Sequence, residues 1–198
     1  MKLLVFTDLH GKKSDIKKLK LRAKENSPDL LICAGDISDF GNNLTKLVKE
    51  FKSLNIPLIL IPGNHGTNEE INRACRKFKF IINIHKRSYR INDYIFFGFG
   101  EGGFSETSPD LEKIISKFKK SLSKNHKVIF VTHQPPYKTK LDKLNSRHAG
   151  SKSIRKFIEI IKPILAVSGH LHENESKQDI IGKTLLINPG CKGKIIRI

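Results

Sequence analysis

Apolar runs of four or five residues recur along the chain, and five of them stop at a block rich in Asp, Asn or His. The runs are residues 3–6, 30–34, 57–61, 128–132 and 164–167. Short runs that are apolar throughout, without polar alternation, read as strands buried on both faces. The blocks that follow are Asp8-Leu9-His10, Gly35-Asp36-Ile37-Ser38-Asp39, Gly63-Asn64-His65, Thr132-His133 and Gly169-His170-Leu171-His172. Ligands of α/β sheets gather beyond the carboxyl ends of strands. The spacing therefore predicts an α/β domain with one functional rim.

Seven side chains in these blocks are candidate metal ligands: Asp8, His10, Asp36, Asn64, His133, His170 and His172. They are imidazoles, carboxylates and an amide, with no thiol. That set suits two hard-to-borderline divalent cations, manganese first, with iron, zinc or nickel as alternatives. Two cations sharing a site point to in-line attack on a phosphorus ester. Residues one apart on an extended segment share a face, so Asp8 with His10 and His170 with His172 can reach one cluster. Gly35, Gly63 and Gly169 let the backbone turn tightly beside the ligands. Five of the eight histidines lie in these blocks. A hydrogen-bonded core histidine is the ordinary reading of any one of them, but not of the whole set.

At 198 residues the chain fits a single domain, 1–198. No apolar run nears the roughly 20 residues of a membrane helix. The opening MKLLVFTDLH is read as a buried strand, not a signal peptide, because Asp8 and His10 interrupt it before any small-residue cleavage site. A cytoplasmic protein is expected. Cys33, Cys75 and Cys191 form no CxxC pair and read as free thiols. The net charge of +18 alone would favour a polyanion. However, only 8 of the 37 cations are Arg, and no stripe of basic and aromatic residues is visible. Nucleic acid therefore ranks below a small phosphate ester as partner. A homodimer is allowed.

Between the runs, Ser14-Asp15 is expected to cap a helix reaching about residue 25. Asn42-Asn43 should open another through about residue 54. Residues 80–83, 86–91 and 94–100 read as strands, with a turn at Asn92-Asp93. Ser108-Pro109-Asp110 should cap a helix ending near 122. Residues 134–150 read as a long loop of the kind that often carries function. A helix at 151–161 and strand-like tail segments around 180, 184–187 and 195–198 complete the chain. The glycine-rich stretch 98–103, with Glu101 and Glu106 nearby, reads as a plain hairpin loop. His85 and His126 are expected at the surface. His148 is expected to face solvent, with substrate contact as the alternative.

The order DxH, GDxxD, GNH, H and GHxH resembles the calcineurin-like metallophosphoesterases over nearly the whole chain. Thr132-His133-Gln134-Pro135-Pro136, His148-Ala149-Gly150-Ser151, and Thr184 with Asn188-Pro189-Gly190 further resemble the small Icc-related phosphoesterases. The resemblance implies a four-layer αββα sandwich with two central mixed sheets. It implies one metal on Asp8, His10, Asp36 and His172, and another on Asp36, Asn64, His133 and His170. Asp36 would be the bridge, and a water bridging the cations the nucleophile. His65 would stabilise the transition state or protonate the leaving oxygen, and Asp39 would orient His65 through a hydrogen bond. Two positions depart from the pattern. Gly66 stands where an acid is usual, and Phe40 stands where protein phosphatase relatives carry Arg, which argues against a phosphoprotein substrate.

The resulting expectation is a metal-dependent phosphodiesterase or phosphomonoesterase acting on a small substrate. The alternatives are a nuclease, and a metal-binding scaffold without catalysis.

Overall fold

The computed structural model describes residues 1–40 and 43–198, so Asn42, expected at a helix start, lies outside the described residues. In chain order the strands are β1 (Lys2–Phe6), β2 (Leu30–Cys33), β3 (Leu58–Leu60), β4 (Ile81–Asn83), β5 (Ser88–Ile91), β6 (Tyr94–Phe99), β7 (Lys127–Thr132), β8 (Lys143–Leu144), β9 (Arg147–His148), β10 (Leu165–Val167), β11 (Gln178–Ile181), β12 (Thr184–Ile187) and β13 (Lys194–Arg197). The helices are α1 (Lys13–Asn26), α2 (Leu44–Lys49), α3 (Asn68–Lys77), α4 (Pro109–Ser121) and α5 (Lys152–Ile161).

One sheet runs β13-β1-β2-β3-β4, and the other β11-β12-β10-β7-β6-β5. β1 to β4 are parallel, and β13 closes their edge antiparallel to β1. In the second sheet β6, β7, β10 and β12 are parallel, with β5 and β11 as antiparallel edges. Both sheets are thus mixed, as the resemblance implies.

Side-chain alternation along each strand assigns the layers. Leu3, Val5, Leu30, Ile32 and Ile59 pack against Phe96, Ile129, Val131, Val167 and Ile187, filling the space between the sheets. Their neighbours Leu4, Phe6, Leu31 and Leu58 face outward onto Ile16 and Leu19 of α1, Val48 of α2 and Ile71 of α3. On the far side Phe97, Phe130 and Ala166 meet Leu111 and Phe118 of α4 and Phe157 of α5. Strands covered on both faces have no polar face to present, which is why these runs are apolar throughout. The Phe130 and Phe157 ring centroids lie 4.0 Å apart. Truncating either ring would remove roughly 3–5 kcal/mol of stability.

Ser108 and Ser151 cap α4 and α5, each accepting a hydrogen bond from a backbone N–H three residues on. Ser14 and Asp15, by contrast, lie inside the first turn of α1, whose preceding residue, Lys12, makes no side-chain cap. The expected helix from Asn43 is α2 followed by a 3-10 turn through Leu54. Sequence reading assigns nothing to 67–79, yet α3 forms there. Thr67 accepts from the Glu70 N–H while the Glu70 carboxylate accepts from the Thr67 N–H, the reciprocal box that Thr67-x-x-Glu70 encodes. No helix among the described residues is long and apolar enough to cross a membrane.

Candidate metal centre

The expected ligands follow the carboxyl ends of β1, β2, β3, β7 and β10, so both sheets contribute to one rim. Asp8, His10, Asp36 and His170 all have positive φ, at 55°, 45°, 46° and 71°. Left-handed backbone at non-glycine residues is strained, and such strain concentrates at functional sites. Gly35, with φ of +105°, makes the sharpest of these turns. Gly63 has a different reason to lack a side chain. A Cβ there would collide with the Asp36 carboxylate, so its role is close approach rather than a tight turn.

Two groupings result. Asp8, His10 and His172 bring ligand atoms within 4.8 Å of one another, as do Asp8, Asp36 and His133. The Asn64 side-chain oxygen lies 2.9 Å from His133 Nε2 and 2.8 Å from His170 Nδ1. His133 Nε2 also lies 3.1 Å from Asp36 Oδ2. All seven expected ligands are therefore brought together. Asp36 stands between the groupings, since its ligand atom is also within 4.8 Å of those of His10 and His65.

The polar atoms here lack the partners that burial demands. Asp8 Oδ1 and His170 Nε2 are buried with no hydrogen-bond partner. Nε2 of His10 faces Nε2 of His172 at 3.2 Å. One of the two nitrogens can donate to the other, with the direction set by the tautomers. A cation would satisfy the orphaned Asp8 oxygen and His170 nitrogen together, so the donors fit a metal.

Without a cation, protons carry the burden. Burial pushes the His133 imidazole down, but its contact with Asp36 and the charges of Asp36 and Asp8 hold it above the ordinary value. Burial together with the charge on His133 takes His170 down to about 4. The facing Asp8 carboxylate raises His172 against burial. Burial raises both carboxyls, but facing histidines, His172 and His133 for Asp8 and His133 for Asp36, hold them below the usual range. Ligation requires neutral imidazoles and ionised carboxylates; His170 and both carboxylates are held in those forms, while the acids favour the protonated forms of His133 and His172.

Surrounding groups orient the ligands. His133 Nδ1 donates to the Ala34 carbonyl at 2.9 Å, fixing the ring so that Nε2 faces the cluster. Asp36 Oδ1 accepts the His65 backbone N–H, and Asp8 Oδ2 accepts that of His170. Asp39 departs from expectation. Its Oδ1 lies 2.6 Å from His10 Nδ1 but 3.7 Å from His65 Nδ1, too long for a hydrogen bond. It orients a candidate ligand, not His65, whose Nδ1 is buried without a partner.

The expectations for His85, His126 and the glycine-rich stretch are also corrected. His85 is buried, with 5% of its surface exposed, and its Nδ1 accepts the Gly100 N–H. His126 is half-buried. His148 is exposed, as expected. Its Nδ1 bonds Asp142, a buried carboxylate that also accepts the N–H groups of Lys138, Thr139 and Gly150 and so organises the 134–150 loop. The glycine-rich stretch is no hairpin loop. It joins β6 to α4 and lies on the rim, where Glu101 N–H bonds the Pro62 carbonyl.

Two exposed rings lie at the rim, Phe40, marked in the sequence only as a departure from the phosphatase pattern, and Phe104, which sequence reading did not single out. Phe40 lies 4.5 Å from His65 and Phe104 lies 4.7 Å from His170, centroid to centroid. No local pattern distinguishes either from an ordinary loop residue.

The chain matches the calcineurin-like phosphoesterase family over residues 1–174. It is 32% identical to the uncharacterized protein MJ1162 of Methanocaldococcus jannaschii, across 99% of this chain and 91% of that protein. It is 31% identical to a probable glycerophosphodiester phosphodiesterase, GpdQ, of Arcobacter nitrofigilis, across 73% of this chain and 57% of the relative. Among solved structures it resembles a dimetal phosphatase from Danio rerio with TM-score 0.69 and 10% identity, covering 94% of this chain and 86% of that one. The fold, the rim of Asp, Asn and His, and the family match agree: the chain belongs to the calcineurin-like phosphoesterases, hydrolases that bind divalent metals.

Proposed function

We propose that the protein hydrolyses the phosphodiester, and with lower preference the phosphomonoester, of a small molecule at a dinuclear centre. The observation that carries this reading is the convergence of seven oxygen and nitrogen donors, two of which, Asp8 Oδ1 and His170 Nε2, are buried with no hydrogen-bond partner. Asp8, His10, His172 and Asp36 would hold one cation. Asp36, Asn64, His133 and His170 would hold the other. Bound there, the pair would supply Lewis-acid charge to the phosphoryl oxygens and acidify an attacking water. The donor chemistry suits manganese. The names of two relatives, a glycerophosphodiester phosphodiesterase and a dimetal phosphatase, support a diester substrate and a two-cation centre.

The chain's own residues do the rest. His65, carried on the segment whose N–H bonds Asp36, is placed to hold or deliver a proton at the leaving oxygen. Asp39 holds the His10 ring in one tautomer. Phe40 and Phe104 give the ester's organic group apolar surfaces beside the rim.

The test is a hydrolysis panel of bis(p-nitrophenyl) phosphate, p-nitrophenyl phosphate, cyclic nucleotides and single-stranded DNA, each with Mn²⁺. Diester turnover that chelation abolishes is expected. Turnover indifferent to chelation would refute the reading. The charge of +18 favours a nuclease as the second reading. Sub-micromolar DNA binding near 150 mM salt, roughly the physiological value, would move it first.

A further inference from the structure

A cavity of about 790 Å³ opens beside the centre and shares His10 and Asp39 with it. Its other charged walls are Lys13 at the start of α1, Lys46 and Lys49 on α2, and Glu50 just beyond. Both acids have partners, Asp39 in His10 on the same wall and Glu50 in Lys20 at 3.7 Å. Among the described residues none of the three lysines forms an ion pair, and all three are exposed. Their placement is electrostatically poor for the folded chain alone. Lys46 and Lys49 sit three apart on one helix face, where like charges repel. Lys13 places a cation in the first turn of α1, against the helix dipole. An anion in the cleft would relieve both.

We propose that this cleft is a second anion subsite, which takes a remote phosphate of a doubly phosphorylated small molecule while the scissile phosphorus lies at the seven-donor cluster. The proposal rests on the phosphoesterase reading and names the substrate class that reading leaves open. The cleft lies beside the His10 grouping. The second phosphate is therefore directed away from Asn64 and His170, and a monophosphorylated ester leaves the lysines without a partner. An 790 Å³ space is ample for a phosphorylated sugar-sized group.

The experiment is calorimetric titration at low salt of the manganese-loaded His65→Ala protein, in which the cations would hold the scissile phosphate and turnover is slow, with fructose 1,6-bisphosphate and with fructose 6-phosphate, which differ by one phosphate. A charge-assisted contact is worth enough that the bisphosphate should bind about tenfold or more tightly. The pair Lys46→Glu and Lys49→Glu should abolish that preference while leaving metal uptake intact, and Lys13→Glu, on another helix, should reduce it. Lys117→Glu with Lys120→Glu on α4 reverses the same charge at the same spacing away from the cleft, and should retain the preference. Equal binding of the two sugars by the parent, an undiminished preference after reversal at 46 and 49, or an equal loss in the α4 control would overturn the proposal. Metal content is read separately by elemental analysis. If the protein takes up no metal but keeps its bisphosphate preference, the phosphoesterase reading fails and the cleft still binds an anion.

Discussion

The Asp39 carboxylate lies 2.6 Å from Nδ1 of His10, and this contact leaves the opposite ring nitrogen of His10 facing Asp8 and His172. A carboxylate behind a ligating imidazole fixes its tautomer and raises its basicity. Asp39 is therefore expected to act through metal affinity. Asp39→Ala should weaken Mn²⁺ binding by roughly 10–100-fold, the usual effect of losing such a partner. Metal titration followed by calorimetry checks it. Undiminished affinity combined with a turnover defect equal to that of a His65 variant would assign Asp39 to His65 instead.

Asp36 belongs to the grouping with Asp8 and His133 and also lies within 4.8 Å of His10 of the other grouping. Asp36→Asn is expected to lose both ions together, read as metal per chain after manganese loading. Retention of one ion would show that the carboxylate does not bridge. The substitution also affects the hydrogen bond from the His65 N–H, so circular dichroism should accompany the count.

His65 is positioned at the centre without being one of the seven proposed ligands. His65→Ala should retain both ions and lower turnover by roughly 10²–10⁴-fold, the share of one acid–base group. The loss should grow as the leaving group becomes more basic, because only such groups need a proton. Turnover equal to the parent on every ester would remove His65 from the mechanism.

His85 should make stability depend on pH. Burial lowers its proton affinity, with Lys86 and Arg87 adding to the effect and Glu101 opposing it. The folded ring stays neutral below the ordinary value, whereas the unfolded chain binds a proton near pH 6.5, about the free imidazole value. The unfolded state thus holds more protons in acid, so stability falls as pH drops through that value, by up to about 1.4 kcal/mol per pH unit. His85→Gln should flatten this slope in urea titrations between about pH 7.5 and 5. An unchanged slope would show that the ring titrates freely.

The sequence alone determined the buried strands and most of the helices between them, though not the short β8 and β9 inside the 134–150 loop. Residues 3–6, 30–34 and 128–132 are apolar without alternation because layers cover both faces, and that burial is recorded residue by residue. The ligands were legible for a related reason: an α/β sheet delivers groups to strand ends, so Asp8, Asp36, Asn64, His133 and His170 mark those ends in the chain itself. The α3 helix was encoded as well, in Thr67 and Glu70. Tertiary structure decided the pairings between distant segments. Asp39 is 29 residues from His10 and 26 from His65, and nothing local says which imidazole it meets. His85 stands among lysines in sequence, yet the Gly100 backbone folds over it. His148 is exposed as the sequence suggests, but only the fold shows that its ring bonds Asp142, the buried carboxylate around which the loop is gathered. Burial pattern is a property of each segment and survives in its composition. A hydrogen bond between segments depends on a distance that exists only once both sheets have packed.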